Sequence, residues 1–385
     1  MFADRTNWNL SPNRLSEVLA RHRAAGKALL DLTVSNPTQC GFRFEREAIL
    51  RALSGPGALN YEPDPKGLEA ARRAVAEYYA GRRDRVSPGD ILLTTSTSEA
   101  YSFVFRTLCN PGDEMLVPEP SYPLFAFLAD IQDVRLVRYP LLFDAAWRID
   151  FPALERAITP RARGVIVVHP NNPTGHFCKA EEMGQLNQLC AVRGLALVAD
   201  EVFLDFSLGG HAPASFASNT SALTFTLSGL SKIAGLPQMK AAWLVTSGPE
   251  PWKTQALARL ELIADTYLSM NAPIQHAIPA FLEQRHAFQK QLISRVRRNL
   301  AELDNRLAVQ KSCTRLPVEG GWYAVLRVPA TRSDEDLAIE LLASQSVYVH
   351  PGHFYDFPAD GYFVVSLITP ENDFAEGTRR LLTLF

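Results

Sequence analysis

The chain has 385 residues, of which 47% are hydrophobic and 21% are charged. This is the composition of an ordinary globular protein with enough apolar residues for a large core. The formal net charge of −2 gives no reason to expect nucleic acid or a membrane surface as a partner. No apolar run reaches the roughly 18 residues that a membrane span needs.

The cysteines of the chain are scattered and form no CxxC pair: Cys40, Cys109, Cys178, Cys190 and Cys313. Such spacing favours reduced thiols in a cytosolic protein over a disulfide framework. The first residues, Met1–Asn7, lack the apolar segment of a signal peptide. We therefore predict a cytoplasmic protein, and we predict no metal centre.

Apolar runs alternate with helical patterns through the middle of the chain. Seven runs are predicted to be strands: Ile91–Thr95, Met115–Val117, Val134–Tyr139, Val165–His169, Leu195–Ala199, Ala222–Leu227 and Ala241–Thr246. Helices are predicted at Ser98–Leu108, after Pro123 and at Lys179–Val192. This alternation predicts an α/β fold with a mostly parallel, seven-stranded sheet flanked by helices on both faces.

The C-terminal part of the chain follows a different pattern. Two helical segments, Lys253–Asp265 and Pro273–Arg306, precede it. The segments predicted within it are the strands Trp322–Val328, Val347–His350 and Tyr362–Ile368 and the helices Asp334–Ala343 and Glu371–Leu384. The pattern indicates a smaller α+β domain, and the N-terminal helix Ser11–Ala25 is expected to pack on it. We expect residues 47–275 to form the large domain, and residues 1–46 and 276–385 to form the small one.

Three polar residues lie at or just past the ends of predicted buried strands. Asn172 lies in the turn 171–175, Asp200 follows the run Leu195–Ala199, and Lys232 closes the segment Ser228–Lys232. The carboxyl ends of parallel strands meet at one edge of an open α/β sheet, where such folds bind their ligands. A lysine at that edge can form a Schiff base, and a carboxylate can pair with a pyridinium nitrogen.

Each of these residues also has a plainer interpretation. Asn172 can belong to a simple tight turn, Asp200 to a structural ion pair or a helix cap, and Lys232 to a solvated loop. The segment Thr95–Ala100 opens a helix and can bind a phosphate through its N–H groups, although Ser and Thr are ordinary N-caps. Tyr122 can stack on an aromatic cofactor or fill a turn. The order and spacing of all five features favour the functional interpretation.

Together these segments resemble the pyridoxal-phosphate-dependent aminotransferases of classes I and II, which have fold type I. The likeness extends over nearly the whole chain, and its most specific elements are the turn 171–175 and Ser231-Lys232. The matching segments are Ser35-Asn36-Pro37, Tyr61 ahead of Gly67, Ser96–Ala100, Tyr122, Asn171-Asn172-Pro173-Thr174-Gly175, Asp200-Glu201-Val202, Ser231-Lys232 and Pro351-Gly352.

The resemblance implies that pyridoxal 5′-phosphate is the cofactor and that Lys232 holds it as an aldimine and later moves the substrate's proton. It implies that Asp200 keeps the pyridine nitrogen protonated, that Asn172 binds the ring oxygen and that Tyr122 stacks on the ring. The phosphate would be held by Thr97, Ser98, Ser231 and Lys240. In this family the residue at the place of Tyr61 reaches the phosphate of the neighbouring subunit, so the resemblance implies a homodimer with shared active sites.

Three positions around the implied cofactor depart from the family pattern. Phe203 stands where a tyrosine normally donates a hydrogen bond to the ring oxygen. Lys240 keeps the charge of the usual phosphate-binding arginine but not its bidentate geometry. Gly229 replaces a phosphate-binding hydroxyl, for which Ser228 is a candidate substitute. The last two changes predict weaker retention of the phosphate.

The fourth departure concerns the substrate. Val364 stands where the family normally has an arginine that binds the α-carboxylate. The candidates to replace this arginine, chosen only because they are near in the sequence, are Arg315, Arg327, His350 and His353. The leading prediction is an aminotransferase that acts on an amino acid or related amine and a 2-oxo acid. A carbon–sulfur β-lyase, a decarboxylase or an inactive cofactor-binding paralogue would keep the same cofactor contacts, so these alternatives stay open.

Overall fold

The computed structural model describes residues 1–209 and 213–385. Within these residues the α-helices are α1 Arg14–Ala24, α2 Arg46–Leu53, α3 Glu69–Gly81, α4 Thr97–Leu108, α5 Phe125–Asp130, α6 Phe151–Ala157, α7 Ala180–Arg193, α8 Leu230–Ile233, α9 Glu250–Tyr267, α10 Ala272–Ala308, α11 Asp334–Gln345 and α12 Glu371–Leu382. The strands are β1 Leu30–Asp31, β2 Ile91–Thr94, β3 Glu114–Glu119, β4 Arg135–Asp144, β5 Ala146–Ile149, β6 Ala162–Val168, β7 Ala196–Asp200, β8 Thr224–Gly229, β9 Ala242–Ser247, β10 Thr314–Arg315, β11 Tyr323–Arg327, β12 Val347–Tyr348, β13 His350–Pro351 and β14 Tyr362–Ser366.

The large sheet contains all seven predicted strands in the order β2-β9-β8-β7-β6-β3-β4, followed by β5 at the edge. Strands β8, β7, β6, β3 and β4 are parallel, whereas β9 is antiparallel to both of its neighbours. The predicted α/β fold is confirmed, but the count of seven strands was one too low.

The eighth strand forms a hairpin because β4 continues beyond the predicted end at Tyr139 to Asp144 and then turns back. The turn residue is Ala145, which has a φ of 59°. Hairpin turns with positive φ normally contain Gly, Asn or Asp. An alanine in this position gives no turn signal, which explains why the sequence did not reveal β5.

The middle strands are buried on both faces because helices cover both sides of the sheet. Val165 and Leu197 belong to the core that includes α7, whereas their neighbours Ile166 and Val198 belong to the core that includes α4 and α9. Successive side chains of a strand point to opposite faces, so an almost entirely apolar strand fits a sheet of this kind. This arrangement brings the carboxyl ends of β6, β7 and β8 together at one edge.

A second, antiparallel sheet has the strand order β10-β11-β14-β13, and β12 pairs with β1 from the start of the chain. Helix α1 packs on α11, as predicted. The 37-residue helix α10 packs on α2 and α3 and also on α12. The expected boundary at residues 275 and 276 falls inside α10, and the division into two domains stays a prediction.

All five cysteines have free thiols. Four are buried and Cys109 is partly buried. Burial raises the pKa of Cys40 and Cys313 to about 11, and that of Cys109 and Cys190 to about 12. Burial also raises the pKa of Cys178. In the part of the chain that the structure describes, no helix is long and apolar enough to cross a bilayer.

Candidate active site

Lys232 lies in α8, the single-turn helix that directly follows β8. Its amine lies 4.8 Å from the centre of the Trp322 ring and 5.5 Å from the centre of the Phe203 ring. Burial lowers the pKa of the amine from 10.5 to about 8, although the negative charge of Asp200 acts in the opposite direction. A larger fraction of the amine is therefore unprotonated near neutral pH, which is the form that attacks a carbonyl carbon.

Asp200 ends β7, in register with Val168 of β6 and Leu227 of β8. Its carboxylate accepts hydrogen bonds from the Tyr101 hydroxyl at 3.1 Å and from the Val202 amide at 3.2 Å. Burial raises the pKa of the carboxyl group from 3.8 to about 6, against these two hydrogen bonds and Lys232. A buried carboxylate that has no salt bridge with any described residue is well placed to bind a cation.

Tyr101 was not among the predicted site residues. It lies on α4 one helical turn after Thr97, so its place in the sequence gave a weak signal that it shares the same helix face. Its partner Asp200 is far away along the chain, and only the packing of α4 against the sheet brings the two together. Trp322 was missed as a site residue for the same reason, since only the fold brings its ring over Lys232.

The turn after β6 holds the Asn172 side chain in a buried position. The neighbouring Asn171 builds the turn, since its side-chain oxygen accepts hydrogen bonds from the hydroxyl of Thr174 at 2.8 Å and from its amide at 3.3 Å. The amide oxygen of Asn172 is buried and has no hydrogen-bond partner among the described residues. An unpaired buried amide is costly unless a ligand satisfies it.

The turn also approaches the loop that carries Trp322. A Cβ atom on Gly175, which has a φ of +73°, would come within 2.7 Å of the carbonyl oxygen of Gly320. Glycine is therefore required at position 175 both for its backbone conformation and for this close contact. The contact helps to place Trp322 beside Lys232.

The start of α4 offers backbone N–H groups to an anion. Ser96 is the N-cap, and its hydroxyl accepts a hydrogen bond from the Glu99 amide at 3.1 Å. Thr97 and Ser98 are the first two helical residues, so their amides have no carbonyl one turn earlier in the helix. The positive end of the helix dipole and these amides favour a negatively charged group such as a phosphate.

The remaining predicted residues lie at different distances from this centre. Burial raises the pKa of the Tyr122 phenol to about 12, and the nearby carboxylate of Asp200 acts in the same direction. Ser231 directly precedes Lys232 on α8. Lys240 is exposed and follows a short turn with a φ of 49°. Tyr61 is 70% exposed and does not take part in this group within one chain.

The close approach of two strands explains why residue 229 is a glycine. A Cβ atom on Gly229 would lie 2.8 Å from the Cβ of Ala242 and 2.9 Å from the carbonyl oxygen of Ala241. A serine therefore does not fit there without a shift of β9. The Ser228 hydroxyl donates to the backbone oxygen of Glu201 at 3.4 Å, so it does not replace the missing hydroxyl.

The two arginines that the sequence suggested as replacements for the one missing at Val364 both contact other side chains. Arg315 makes a bidentate contact with Asp304, at 2.5 and 2.8 Å. Arg327 is exposed and lies over the ring of Tyr362, 5.9 Å from its centre.

Comparison with known proteins gives the class to which this fold and site belong. Residues 27–374 match the model of the family described as aminotransferase class I and II. The glutamate-pyruvate aminotransferase AlaA of Escherichia coli strain K12 is 29% identical over 362 residues, which cover 90% of this chain and 88% of that protein. An alanine aminotransferase of Mycobacterium tuberculosis is also 29% identical, over 94% of this chain and 86% of that protein.

Solved structures show the same fold. A crystal structure of an aminotransferase from Escherichia coli superposes with a TM-score of 0.87 at 25% identity, and covers 100% of this chain and 98% of that one. An alanine aminotransferase from Pyrococcus furiosus superposes with a TM-score of 0.90 at 21% identity, over 100% and 99% of the two chains. The chain belongs to the class I and II aminotransferase family, and the predicted fold type I architecture is confirmed.

Proposed function

We propose that the protein binds pyridoxal 5′-phosphate at Lys232 and transfers an amino group between an amino acid or a related amine and a 2-oxo acid. The observation that carries the proposal is the arrangement of Lys232, Asp200 and Asn172 at one edge of the sheet. Among the residues that the structure describes, it combines an amine with a lowered pKa, a buried carboxylate without a salt bridge, and an amide oxygen without a partner. These three features fit the aldehyde, the protonated ring nitrogen and the ring hydroxyl of the cofactor.

Each residue has a separate role in this proposal. The cofactor, when bound, supplies an electron-accepting ring that stabilises the charge left when the substrate loses its α-proton. Asp200 keeps the ring nitrogen protonated, and Tyr101 orients Asp200 through the hydrogen bond at 3.1 Å. Lys232 accepts the α-proton with its amine and returns it to the neighbouring carbon.

Other residues fix the position of the cofactor. Tyr122 stacks on the ring, and Asn172 binds the ring oxygen through its amide. The phosphate is held at the start of α4 by Thr97 and Ser98 and by two groups after β8, Ser231 and Lys240.

We also propose that the protein is a cytoplasmic homodimer with shared active sites. Tyr61 is 70% exposed, and Leu59 close to it is 92% exposed. Large apolar side chains exposed side by side are typical of surfaces that bind another protein. In the proposed dimer, the hydroxyl of Tyr61 reaches the phosphate of the partner's cofactor.

A single-turnover experiment tests the proposed reaction. The protein is loaded with pyridoxal 5′-phosphate and mixed with a panel of amino donors, and the absorbance is followed. We expect the amine form of the cofactor to appear with at least one donor, and then to disappear when a 2-oxo acid is added. Release of ammonia or carbon dioxide without the amine form would indicate a lyase and contradict the proposal.

The variant Lys232→Ala is expected to abolish the absorbance band of covalently bound cofactor. Lys253→Ala is the matched control, because Lys253 is partly buried and its amine is paired with Asp90 and Glu250. The control is expected to bind the cofactor like the wild type.

A further inference from the structure

One face of the small sheet is turned toward Lys232. Val364 of β14 pairs with Val325 of β11 on one side and with His350 of β13 on the other. Side chains opposite each other in antiparallel strands share a face, and so do residues two apart in one strand. Tyr323, Val325, His350 and Val364 therefore project from the same face.

Aromatic contacts connect this face to the proposed active site. The ring of Tyr323 lies 6.2 Å from the ring of Phe203, and the Phe203 ring lies 5.5 Å from the Lys232 amine. The ring of Tyr355 lies 6.4 Å from that of Tyr323. A substrate bound at Lys232 therefore has this face beside it.

His350 and Tyr355 form a polar pair on this face. The Nδ1 atom of His350 and the Tyr355 hydroxyl are 3.2 Å apart. The backbone oxygen of Tyr355 accepts a hydrogen bond from the amide of Ser121 at 2.9 Å, directly before Tyr122. His350 thus ties the pair to β13, which pairs with β14 at Val364. Tyr355 ties it to the segment that carries Tyr122, the proposed ring-stacking residue.

The pair is uncharged near neutral pH. Burial lowers the pKa of His350 from 6.5 to about 4, although Asp31 on β1 acts in the opposite direction. Burial raises the pKa of Tyr355 well above its usual value, and the neighbouring tyrosines act in the same direction. When the Tyr355 hydroxyl donates to Nδ1, the proton of the imidazole is on Nε2, which is then available as a neutral donor.

No arginine is among the groups that shift the pKa values of His350 and Tyr355, within the part of the chain that the structure describes. The charged groups that shift the pKa values of Lys232, Tyr122 and His350 are Asp200 and Asp31. Burying a carboxylate without a cation costs several kcal/mol in typical cases. A neutral group with the same shape avoids this cost and can accept a hydrogen bond from a neutral donor.

We propose that His350 and Tyr355 recognise the amino donor, and that this donor carries an uncharged hydrogen-bonding group, such as a carboxamide, on the carbon that bears the amine. The inference rests on the proposed function and narrows the class of amine. Val364 is buried and supplies no charge to that group. The relatives that are named alanine aminotransferases would then differ from this protein in the polar group that their substrate carries on the carbon bearing the amine.

The experiment compares amino donors that differ only in this group. Cofactor binding is measured first, from the absorbance of the protein loaded with pyridoxal 5′-phosphate and from its absence in Lys232→Ala. Single-turnover rate constants are then measured for alaninamide and alanine. Binding without reaction is measured from the absorbance change with 2-methylalaninamide and 2-methylalanine, which have no α-hydrogen.

We expect the carboxamides to react faster and to bind more tightly than the free acids, by about tenfold, the effect of roughly one hydrogen bond. Equal values, a preference for the free acids or a lack of reaction with alaninamide would overturn the inference. If the wild type shows no covalent cofactor band, the proposed function itself fails. The two failures are therefore distinguishable.

Variants test the role of the pair directly. Tyr355→Phe and His350→Gln are expected to remove the preference by lowering the values for the carboxamides much more than those for the free acids. A purely structural role would lower both equally and would overturn the assignment. Val364→Arg is expected to reverse the preference. If the introduced arginine prevents folding, Tyr355→Phe and His350→Gln still test the proposal. Arg327→Gln is the matched control and is expected to keep the wild-type preference.

Discussion

At the scale of single residues, the hydrogen bond between Tyr101 and Asp200 adjusts the charge of the proposed cofactor site. Burial raises the pKa of Asp200, and the tyrosine opposes this effect because its hydroxyl stabilises the ionised carboxylate. The carboxylate therefore stays largely ionised near neutral pH, as the proposed contact with a protonated ring nitrogen requires. The sequence predicted Asp200 but not its partner.

In Tyr101→Phe we expect the pKa of Asp200 to rise further and the Kd for pyridoxal 5′-phosphate to increase about three- to tenfold, the range of one hydrogen bond to a charged group. An absorbance titration of the protein with the cofactor measures this change. Tyr139→Phe is the control, because the Tyr139 hydroxyl is also buried but donates to the backbone oxygen of Ile166. An unchanged Kd in Tyr101→Phe would contradict the role of the hydrogen bond.

The ring of Phe203 offers no hydrogen-bond donor to the ring oxygen of the proposed cofactor. In Phe203→Tyr we expect the pH midpoint of the bound cofactor's absorbance change to fall by about one unit, because a hydroxyl donor stabilises the anionic oxygen. A spectral pH titration measures the midpoint. Phe206→Tyr is the matched control, since Phe206 also packs against Trp322. Equal midpoints in the wild type and Phe203→Tyr would contradict the expectation.

Residues that follow strand ends could be predicted, because a polar side chain after an apolar run is visible in the sequence. Lys232, Asp200 and Asn172 were predicted in this way to share one edge of the sheet, and their role as site residues stays a prediction. Tyr101, Trp322 and Tyr355 could not be found, because their positions depend on contacts between segments that are far apart along the chain. Gly229 was recognised from the sequence as a departure from the family pattern. The reason for the glycine is the short distance between β8 and β9, which the local sequence does not show.

At the scale of elements, β8 and β9 lie so close at Gly229 that the usual family hydroxyl does not fit. We expect Gly229→Ser to lower the free energy of unfolding by about 1–3 kcal/mol, the typical cost of overpacking a core. Urea unfolding followed by circular dichroism measures it. Gly184→Ser on α7 is the control, because a Cβ atom there meets nothing within 4 Å. If Gly229→Ser has the same free energy of unfolding as the wild type, β9 shifts to accommodate the serine without a loss of stability, and the expectation is wrong.

The elements of the large sheet were predicted almost completely, because a strand buried on both faces reads as a continuous apolar run. The hairpin of β4 and β5 escaped prediction for the opposite reason. It lies at the edge of the sheet, every second residue is accessible to some degree, and its turn residue Ala145 is not a typical one. Strands at the edge of a sheet are therefore harder to predict from the sequence than central strands.

At the scale of the whole molecule, buried acidic groups make stability depend on pH. Burial raises the pKa of Glu201 from 4.5 to about 8, although Ser215 and the amide of Phe216 donate hydrogen bonds to it at 2.6 Å. The folded protein therefore holds this proton more tightly than the unfolded chain. The contribution to stability is complete below about pH 4.5 and is lost as the pH rises through about 8.

In Glu201→Gln we expect this pH dependence to disappear, so that the variant gains on the order of 3–5 kcal/mol relative to the wild type between pH 5 and pH 8. Urea unfolding of the cofactor-free protein at several pH values measures the difference. Glu69→Gln is the control, since Glu69 is exposed on α3 and pairs with Arg73 on the same helix. A parallel pH dependence in Glu201→Gln and the wild type would contradict the assignment.

The buried cysteines have a practical consequence for how the molecule opens. An alkylating reagent attacks the thiolate, and the raised pKa values keep the native thiols protonated at pH 8. For the four buried thiols, labelling therefore requires a local or global opening that exposes the thiol to water. These four cysteines are spread from position 40 to position 313, so the rate at which each one is alkylated would measure the opening free energy of a different region of the same chain.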